Sequence, residues 1–313
     1  MDKILITGYS GFVGSHLLGA LDSLENVNLL GRSAPAKCNK HLKANIDAQS
    51  DYSSVLDRVD VVVHIAARVH VMSDTAANPL EEFRAVNTEG TLNLAKQAVA
   101  SGVKRFIFVS SIKVNGESTT GKEAFSSVDK PNPEDPYGVS KAEAEAQLIA
   151  LGKETGLEIV IIRPPLVYGE GVKANFASLM NLVSKGLPLP FRALVSNKRS
   201  LVSVYNLVDL IQVCISHPKA ANQVFLVSDD EDISTAAMVA LMAKVQDKPN
   251  LSVPIPALCF KIAGKLLSKE DVIDRLTGSL QVDITHTKNT LGWRPPYSIE
   301  HGFQMACKQK ARK

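Results

Sequence analysis

Residues 4–14 read Ile4-Leu5-Ile6-Thr7-Gly8-Tyr9-Ser10-Gly11-Phe12-Val13-Gly14. A short apolar strand runs into glycines spaced Gly-x-x-Gly-x-x-Gly, and an apolar-periodic helix, Ser15 to Leu24, follows. Between a strand and a helix such glycines have separate uses. Gly8 permits the tight turn, Gly11 lets a pyrophosphate approach the backbone at a helix N-terminus, and Gly14 lets the helix pack on the strand. A plain cluster of loop glycines is the competing reading, and the strand–turn–helix context argues against it.

Outward from that turn the chain alternates strand and helix. Val27 to Leu30 reads as the second strand. An NAD-binding unit usually ends this strand with a carboxylate for the ribose 2′-hydroxyl. Here the end is Gly31-Arg32-Ser33, so Arg32 points to a 2′-phosphate and NADP(H), with NAD(H) possible; a solvated arginine is the alternative. A weak third strand ends near Asn45-Ile46-Asp47. Val59 to Arg68 holds the fourth, a continuous apolar run as expected of a parallel strand buried on both faces. Ala66 and Ala67 leave room beside it for a cofactor. His64 and His70 could be metal ligands, but no third ligand is near, which favours a structural histidine. A helix from Pro79 to about Ala100 carries Asn87, and the fifth strand, Val103 to Val109, ends in Ser110-Ser111. The carboxyl edge is where open α/β sheets hold ligands. The long loop Asn115 to Pro136 leads to Tyr137, and Glu158 to Ile162 is the sixth strand, stopped by Arg163-Pro164-Pro165.

Beyond Pro165 the alternation loosens. Ser200–Val204 and Val224–Val227 read as strands, the latter rejoining the main sheet, and 232–279 reads as mainly helical. The expectation is an α/β fold: a doubly wound parallel Rossmann sheet of about seven strands with a smaller, mainly helical lobe. Residues 1–165 form the dinucleotide-binding domain, rejoined by about 200–228, and 166–200 with 229–313 form the substrate lobe.

Composition sets limits. The 313 residues are 45% apolar, and 35 basic against 32 acidic side chains leave +3. That argues against a dedicated nucleic-acid binder and allows an anionic small substrate. Cys38, Cys214, Cys259 and Cys307 are scattered, as expected of reduced thiols or small buried hydrophobes in a cytoplasmic protein. No signal-peptide layout and no apolar run near the ~20 residues that span a bilayer is visible, so no membrane partner is expected. The basic 308–313 tail reads as solvated.

Pro136-Tyr137-Gly138-Val139-Ser140-Lys141 carries the chemistry. A Tyr and a Lys four apart share a helix face. A neighbouring ammonium favours phenolate and lowers a tyrosine pKa from about 10, making a proton carrier for a hydroxyl. Alone the pattern is weak; the glycine turn and Ser110-Ser111 give it weight.

These stretches, with Val63-His64-x-Ala66-Ala67, Asn87-x-x-Gly90-Thr91, Ser110-Ser111-x-x-Val114-x-Gly116, Val167-Tyr168-Gly169 and Leu291-Gly292-Trp293, resemble the extended short-chain dehydrogenase/reductases of the nucleotide-sugar epimerase/dehydratase family. The resemblance spans nearly the whole chain. It implies an enzyme with Ser111, Tyr137 and Lys141 as the catalytic set. Tyr137 would be acid and base, Lys141 would bond the nicotinamide ribose, and Ser111 the oxygen at sugar C4. It implies that Gly8, Ser10, Gly11, Phe12, Val13 and Gly14 cradle pyrophosphate, with Arg32 at the adenosine ribose and Asn45 and Ile46 at adenine. Ala66, Ala67, Asn87 and Pro164 would line the cofactor, and Asn175, Arg199 and Arg275 would hold the nucleotide diphosphate. The family also implies a homodimer through the helices after Pro79 and around Tyr137, whose outward faces include apolar residues such as Leu94, Ala98, Ala144 and Leu148, with core packing as the alternative for each.

Departures narrow the function. Family dehydratases carry Asp-Glu directly after the catalytic Ser/Thr, where this chain has Ile112-Lys113, so a dehydratase is disfavoured. Asn115 replaces the usual Tyr. The pattern resembles most a subgroup of surface-polysaccharide pathways that holds UDP-4-keto-6-deoxy-N-acetylhexosamine reductases and proteins labelled UDP-glucose 4-epimerases. The missing acid after the second strand favours a 4-keto reductase acting on a UDP-linked sugar. A UDP-glucose or UDP-N-acetylglucosamine 4-epimerase is the alternative, and a catalytically silent dinucleotide binder the remote one.

Overall fold

The computed structural model describes residues 2–34, 40–69, 78–266 and 270–308. Cys38, His70 and the tail beyond Lys308 lie outside them. The strands are β1 (Ile4–Thr7), β2 (Val27–Gly31), β3 (Lys40–Lys43), β4 (Val61–His64), β5 (Arg105–Val109), β6 (Glu158–Arg163), β7 (Leu166–Tyr168), β8 (Arg199–Ser203), β9 (Gln223–Leu226) and β10 (Asp232–Ile233). Seven form one sheet in the order β3-β2-β1-β4-β5-β6-β9, every pair parallel, with Thr7 beside Leu30 on one side and His64 on the other. This is the expected doubly wound Rossmann sheet.

Burial follows the two-residue period of a strand. Ile6, Leu29, Val63, Ile107 and Ile162 face one core with Leu17 and Leu207, from the helices Phe12–Ala20 and Val204–Ser216. Leu5, Leu30, Val62, Phe106 and Ile161 face the other, with Leu94 and Leu148, from the helices Thr91–Ala100 and Pro136–Thr155. The Leu94, Ala98, Ala144 and Leu148 side chains are all in this second core and at most 1% exposed. They therefore offer no outward face, and core packing accounts for each.

The expected single helix after Pro79 is interrupted. Pro79–Arg84 passes into a π-turn, Ala85–Gly90, before the α-helix resumes at Thr91. Such single-turn insertions recur at functional sites. Gly90 is fixed by space: a Cβ there would stand 2.8 Å from the Asp47 amide nitrogen and 2.8 Å from the Ile46 carbonyl carbon. The π-turn thus packs directly on the Asn45–Asp47 segment.

After Pro165 the chain builds a second, three-stranded sheet, β10-β8-β7. β9 rejoins the main sheet as expected, whereas β8 pairs with β7. A third core joins Tyr168, Phe176, Met180, Leu201, Met242 and Phe303 across this lobe. Helices Ala174–Ser184, Thr235–Lys244, Ala257–Leu266, Glu270–Thr277 and Ile299–Cys307 supply the rest, whereas Thr285–Leu291 packs on β9 of the main sheet, with the Thr287 hydroxyl donating to the Leu226 carbonyl. No helix among the described residues is long and apolar enough to cross a membrane.

Candidate active site

The strand order reverses direction between β1 and β4, the crevice where doubly wound sheets take ligands. The glycine turn sits at that point. Gly8 has φ +71°, and a Cβ on it would lie 2.6 Å from the Ala66 amide nitrogen. A Cβ on Gly14 would lie 2.2 Å from the Gly8 carbonyl oxygen, which also accepts the Gly11 N–H at 2.9 Å. Gly11 starts the Phe12–Ala20 helix with no side-chain cap, so its first-turn N–H groups face whatever the turn cradles. The turn therefore fits a dinucleotide pyrophosphate by its own geometry.

Beneath it, His64 Nδ1 meets Thr7 Oγ1 at 2.7 Å and Nε2 meets Thr91 Oγ1 at 2.9 Å. Burial, reinforced by the Lys141 charge, pushes the imidazole down to about 3, so it stays neutral and ties β1 to β4 and the helix behind. Both nitrogens are occupied by hydroxyls, which makes His64 a structural bridge. The π-turn contributes Asn87, fully buried. Its Oδ1 accepts the Arg68 N–H at 2.8 Å, and its Nδ2 donates to the Arg68 carbonyl and to Ser140 Oγ, both at 3.0 Å. The segment Ala66–Arg68 is thereby fastened to the Tyr137 helix.

At the end of β5, Ser110 and Ser111 separate in role. Ser110 Oγ donates to Glu145, whose carboxylate forms a double-pronged pair with Arg163. Arg163 Nη1 donates to Asn115 Oδ1 at 3.0 Å, and Asn115 Nδ2 to the Ser126 carbonyl at 2.9 Å. All four side-chain carriers, Ser110, Glu145, Arg163 and Asn115, are under 5% exposed. Asn115 is thus the member that ties this network to the loop. Ser111, half-buried, caps the 3₁₀ turn Ile112–Val114. Pro164, at the end of β6, accepts the Ile112 N–H at 3.0 Å.

Tyr137 is half-buried in the first turn of the Pro136–Thr155 helix, against the Phe83 ring. Burial, and then the Asp135 carboxylate, push its hydroxyl above the ordinary phenol range. The expected lowering by Lys141 is not what the structure gives. Lys141 Nζ donates to the Val109 carbonyl at 2.9 Å and lies 4.3 Å from the centre of the Phe108 ring, and burial pulls its own pKa down to about 7. Its ammonium is directed at the sheet edge.

In the second lobe Arg199 Nη1 donates to the Arg275 carbonyl at 2.9 Å. Burial and the Arg275 charge both push the Arg199 guanidinium down, as two adjacent cations should. Arg275 in turn lies 3.7 Å from Glu117, just past the Ser111 segment. Asn175 is exposed in the first turn of its helix, with no hydrogen bond to either arginine among the described residues. Arg32 is exposed at the end of β2, and Asn45 offers its carbonyl to Tyr52.

Sequence reasoning passed over Asp135 and Glu145. Asp135-Pro136 is an N-cap followed by proline at the first helical position, a readable helix-start signal. Glu145 lies one turn past Lys141 on the same face.

A parallel sheet with a glycine turn at its switch point, and Ser, Tyr and Lys at its carboxyl edge, defines an enzyme of the extended short-chain dehydrogenase/reductase type. The chain belongs to the NAD dependent epimerase/dehydratase family, whose model matches residues 4–228. It is 56% identical over 310 residues to a UDP-glucose 4-epimerase of Vibrio cholerae, covering 97% of this chain and 94% of that one. Among solved structures, it resembles the UDP-glucuronic acid 4-epimerase of Bacillus cereus in complex with NAD, at TM-score 0.77 and 21% identity over all of both chains. The UDP-glucose 4-epimerase of Thermotoga maritima with UDP-glucose is similar too, at TM-score 0.76 and 22% identity, over 100% of this chain and 99% of that one. The 56% identity corrects the 4-keto reductase reading, which rested on the lack of an acid beside Arg32. One exposed arginine after β2 is weak evidence against similarity along the whole chain.

Proposed function

We propose that the protein is a C4 epimerase of a UDP-linked hexose, with UDP-glucose or UDP-N-acetylglucosamine as substrate and NAD as its retained cofactor. The similarity to the Vibrio cholerae UDP-glucose 4-epimerase along 97% of the chain carries this reading. The family name and the NAD in the Bacillus cereus structure favour NAD. The NADPH preference argued from Arg32 has no such support.

When bound, the dinucleotide would supply the hydride acceptor and donor for sugar C4. The chain does the rest. Gly8, Gly11 and Gly14, with Ser10, Phe12 and Val13, hold the pyrophosphate, and Arg32, Asn45 and Ile46 flank the adenosine. Ala66, Ala67, Asn87 and Pro164 shape the slot. Ser111 orients the sugar O4, Tyr137 takes its proton and gives it back, and Lys141 holds the ribose. Arg199 and Arg275 supply the positive charge that a diphosphate requires, and Asn175 is proposed to join them on the nucleotide. In this division 1–165 with about 200–228 holds the cofactor, and 166–200 with 229–313 holds the nucleotide sugar, in a cytoplasmic enzyme of polysaccharide synthesis.

The test is to purify the protein, denature it and read the released cofactor by absorbance and mass. NAD should come off, and the intact protein should interconvert UDP-glucose and its C4 epimer with no added nicotinamide. Empty protein that consumes NADPH only with a UDP-4-keto sugar would refute the proposal. A homodimer is proposed as well, on the family resemblance and the prevalence of twofold assemblies. Light scattering should give twice the 33.7 kDa chain mass at micromolar concentration, and monomer mass would count against it.

A further inference from the structure

We propose that Lys113 is a positioning residue for Tyr137: its ammonium clamps the Asp135 carboxylate that caps the Tyr137 helix and ties that helix to the turn that carries Ser111. The proposal rests on the acid/base reading of Tyr137 above.

The grounds are geometric. Asp135 Oδ1 accepts the Gly138 N–H at 2.6 Å, which caps the helix one turn around Tyr137. Its other oxygen, Oδ2, is taken by Lys113 Nζ. The same Nζ donates to Glu117 Oε1 at 2.8 Å. Gly138 lies against the Lys113 backbone, where a Cβ would stand 2.8 Å from the Lys113 carbonyl oxygen. The turn that carries Ser111 and the turn that carries Tyr137 thus touch, and one side chain ties them together.

Several charges surround this point. Glu117 also lies 3.7 Å from Arg275, and its backbone N–H donates to Glu134 Oε1 at 3.3 Å. Lys141 follows one turn along the helix, directed at Val109. From the Pro79–Arg84 helix Tyr137 meets the Phe83 ring, with the Arg68 guanidinium 5.8 Å from that ring's centre. Asp135 is the anion whose charge, after burial, holds the Tyr137 proton on. Unpaired, it would oppose phenolate more strongly; paired with Lys113 it keeps its cap while its field is reduced. An acid at position 113, as the resembled dehydratases carry, would instead face Asp135 and Glu117 as a third like charge.

The experiment is the pH dependence of kcat/KM for UDP-glucose epimerisation by the holoenzyme, with thermal unfolding measured alongside. The rate should rise with pH as Tyr137 becomes able to accept a proton. Lys113→Met removes a cation and should move that acid limb upward by roughly one pH unit. Asp135→Asn retains a capping oxygen, removes an anion and should move the limb downward. The double variant should lie near wild type, and Lys113→Arg should restore most of the Lys113→Met shift. Loss of rate with an unmoved limb, or both single variants shifting the same way, overturns the proposal. Tyr137→Phe run in parallel separates the two levels. If it keeps near-normal turnover, the acid/base reading itself fails; if it is inactive while the Lys113 and Asp135 limbs do not move oppositely, only the role of Lys113 fails.

Discussion

Tyr137→Phe should lower turnover by about 10²- to 10⁴-fold, the span that one positioned proton carrier contributes, while the fold and cofactor retention survive. The substitution keeps the ring and its 6.0 Å edge contact with Phe83, and deletes only the hydroxyl. No protein hydrogen bond to that hydroxyl is lost among the described residues, so stability should barely move. Ser111→Ala should lose less, because in the proposed mechanism it removes orientation of the sugar oxygen and leaves the proton carrier in place. The measurement is steady-state turnover of UDP-glucose by protein whose NAD content has been verified. Near-normal turnover in Tyr137→Phe would remove Tyr137 from the assigned mechanism and require another group to carry the proton.

Arg163→Met should unfold the protein at a much lower temperature. It leaves the Glu145 carboxylate, 3% exposed, with Ser110 as its one remaining hydrogen-bond partner among the described residues, and frees the Asn115 amide oxygen. Removing one partner of a buried pair costs about 3–5 kcal/mol, since the other charge stays desolvated. For a chain of this size that corresponds to a fall in Tm on the order of 10 °C. Arg163→Met with Glu145→Gln should recover part of the loss, because the charge that was stranded is gone. Calorimetry of the single and double variants checks both expectations. A single-variant Tm within about 2 °C of wild type would show that the Ser110–Glu145–Arg163–Asn115 network contributes little.

Asn115 shows why part of the site escaped the sequence. Read along the chain, it is merely a departure from the family's Tyr. Its purpose depends on Arg163, 48 positions later at the end of β6, and on Ser126 in the loop. Lys141 teaches a related lesson. Its spacing from Tyr137 placed both on one helix face, but the direction of its ammonium was set by the Val109 carbonyl and the Phe108 ring, on a strand over thirty residues earlier. The same holds for Leu94, Ala98, Ala144 and Leu148: helical periodicity marks an apolar stripe, and only the packed sheet says what the stripe covers.

By itself the sequence determined what is local in cause. The strand–glycine–helix order at residues 4–14, the continuous apolar run of β4, and the Tyr-x-x-x-Lys spacing follow from backbone sterics and side-chain period, which act over a few residues. The tertiary structure decided what depends on approach between distant segments. It set the π-turn that lets Gly90 meet Asn45–Asp47, the capture of His64 between Thr7 and Thr91, and the pairing of β7 with β8. It also set the clamp of Lys113 on Asp135, which raises no signal in the sequence because a salt bridge between residues 22 apart exists only once a loop has been folded back.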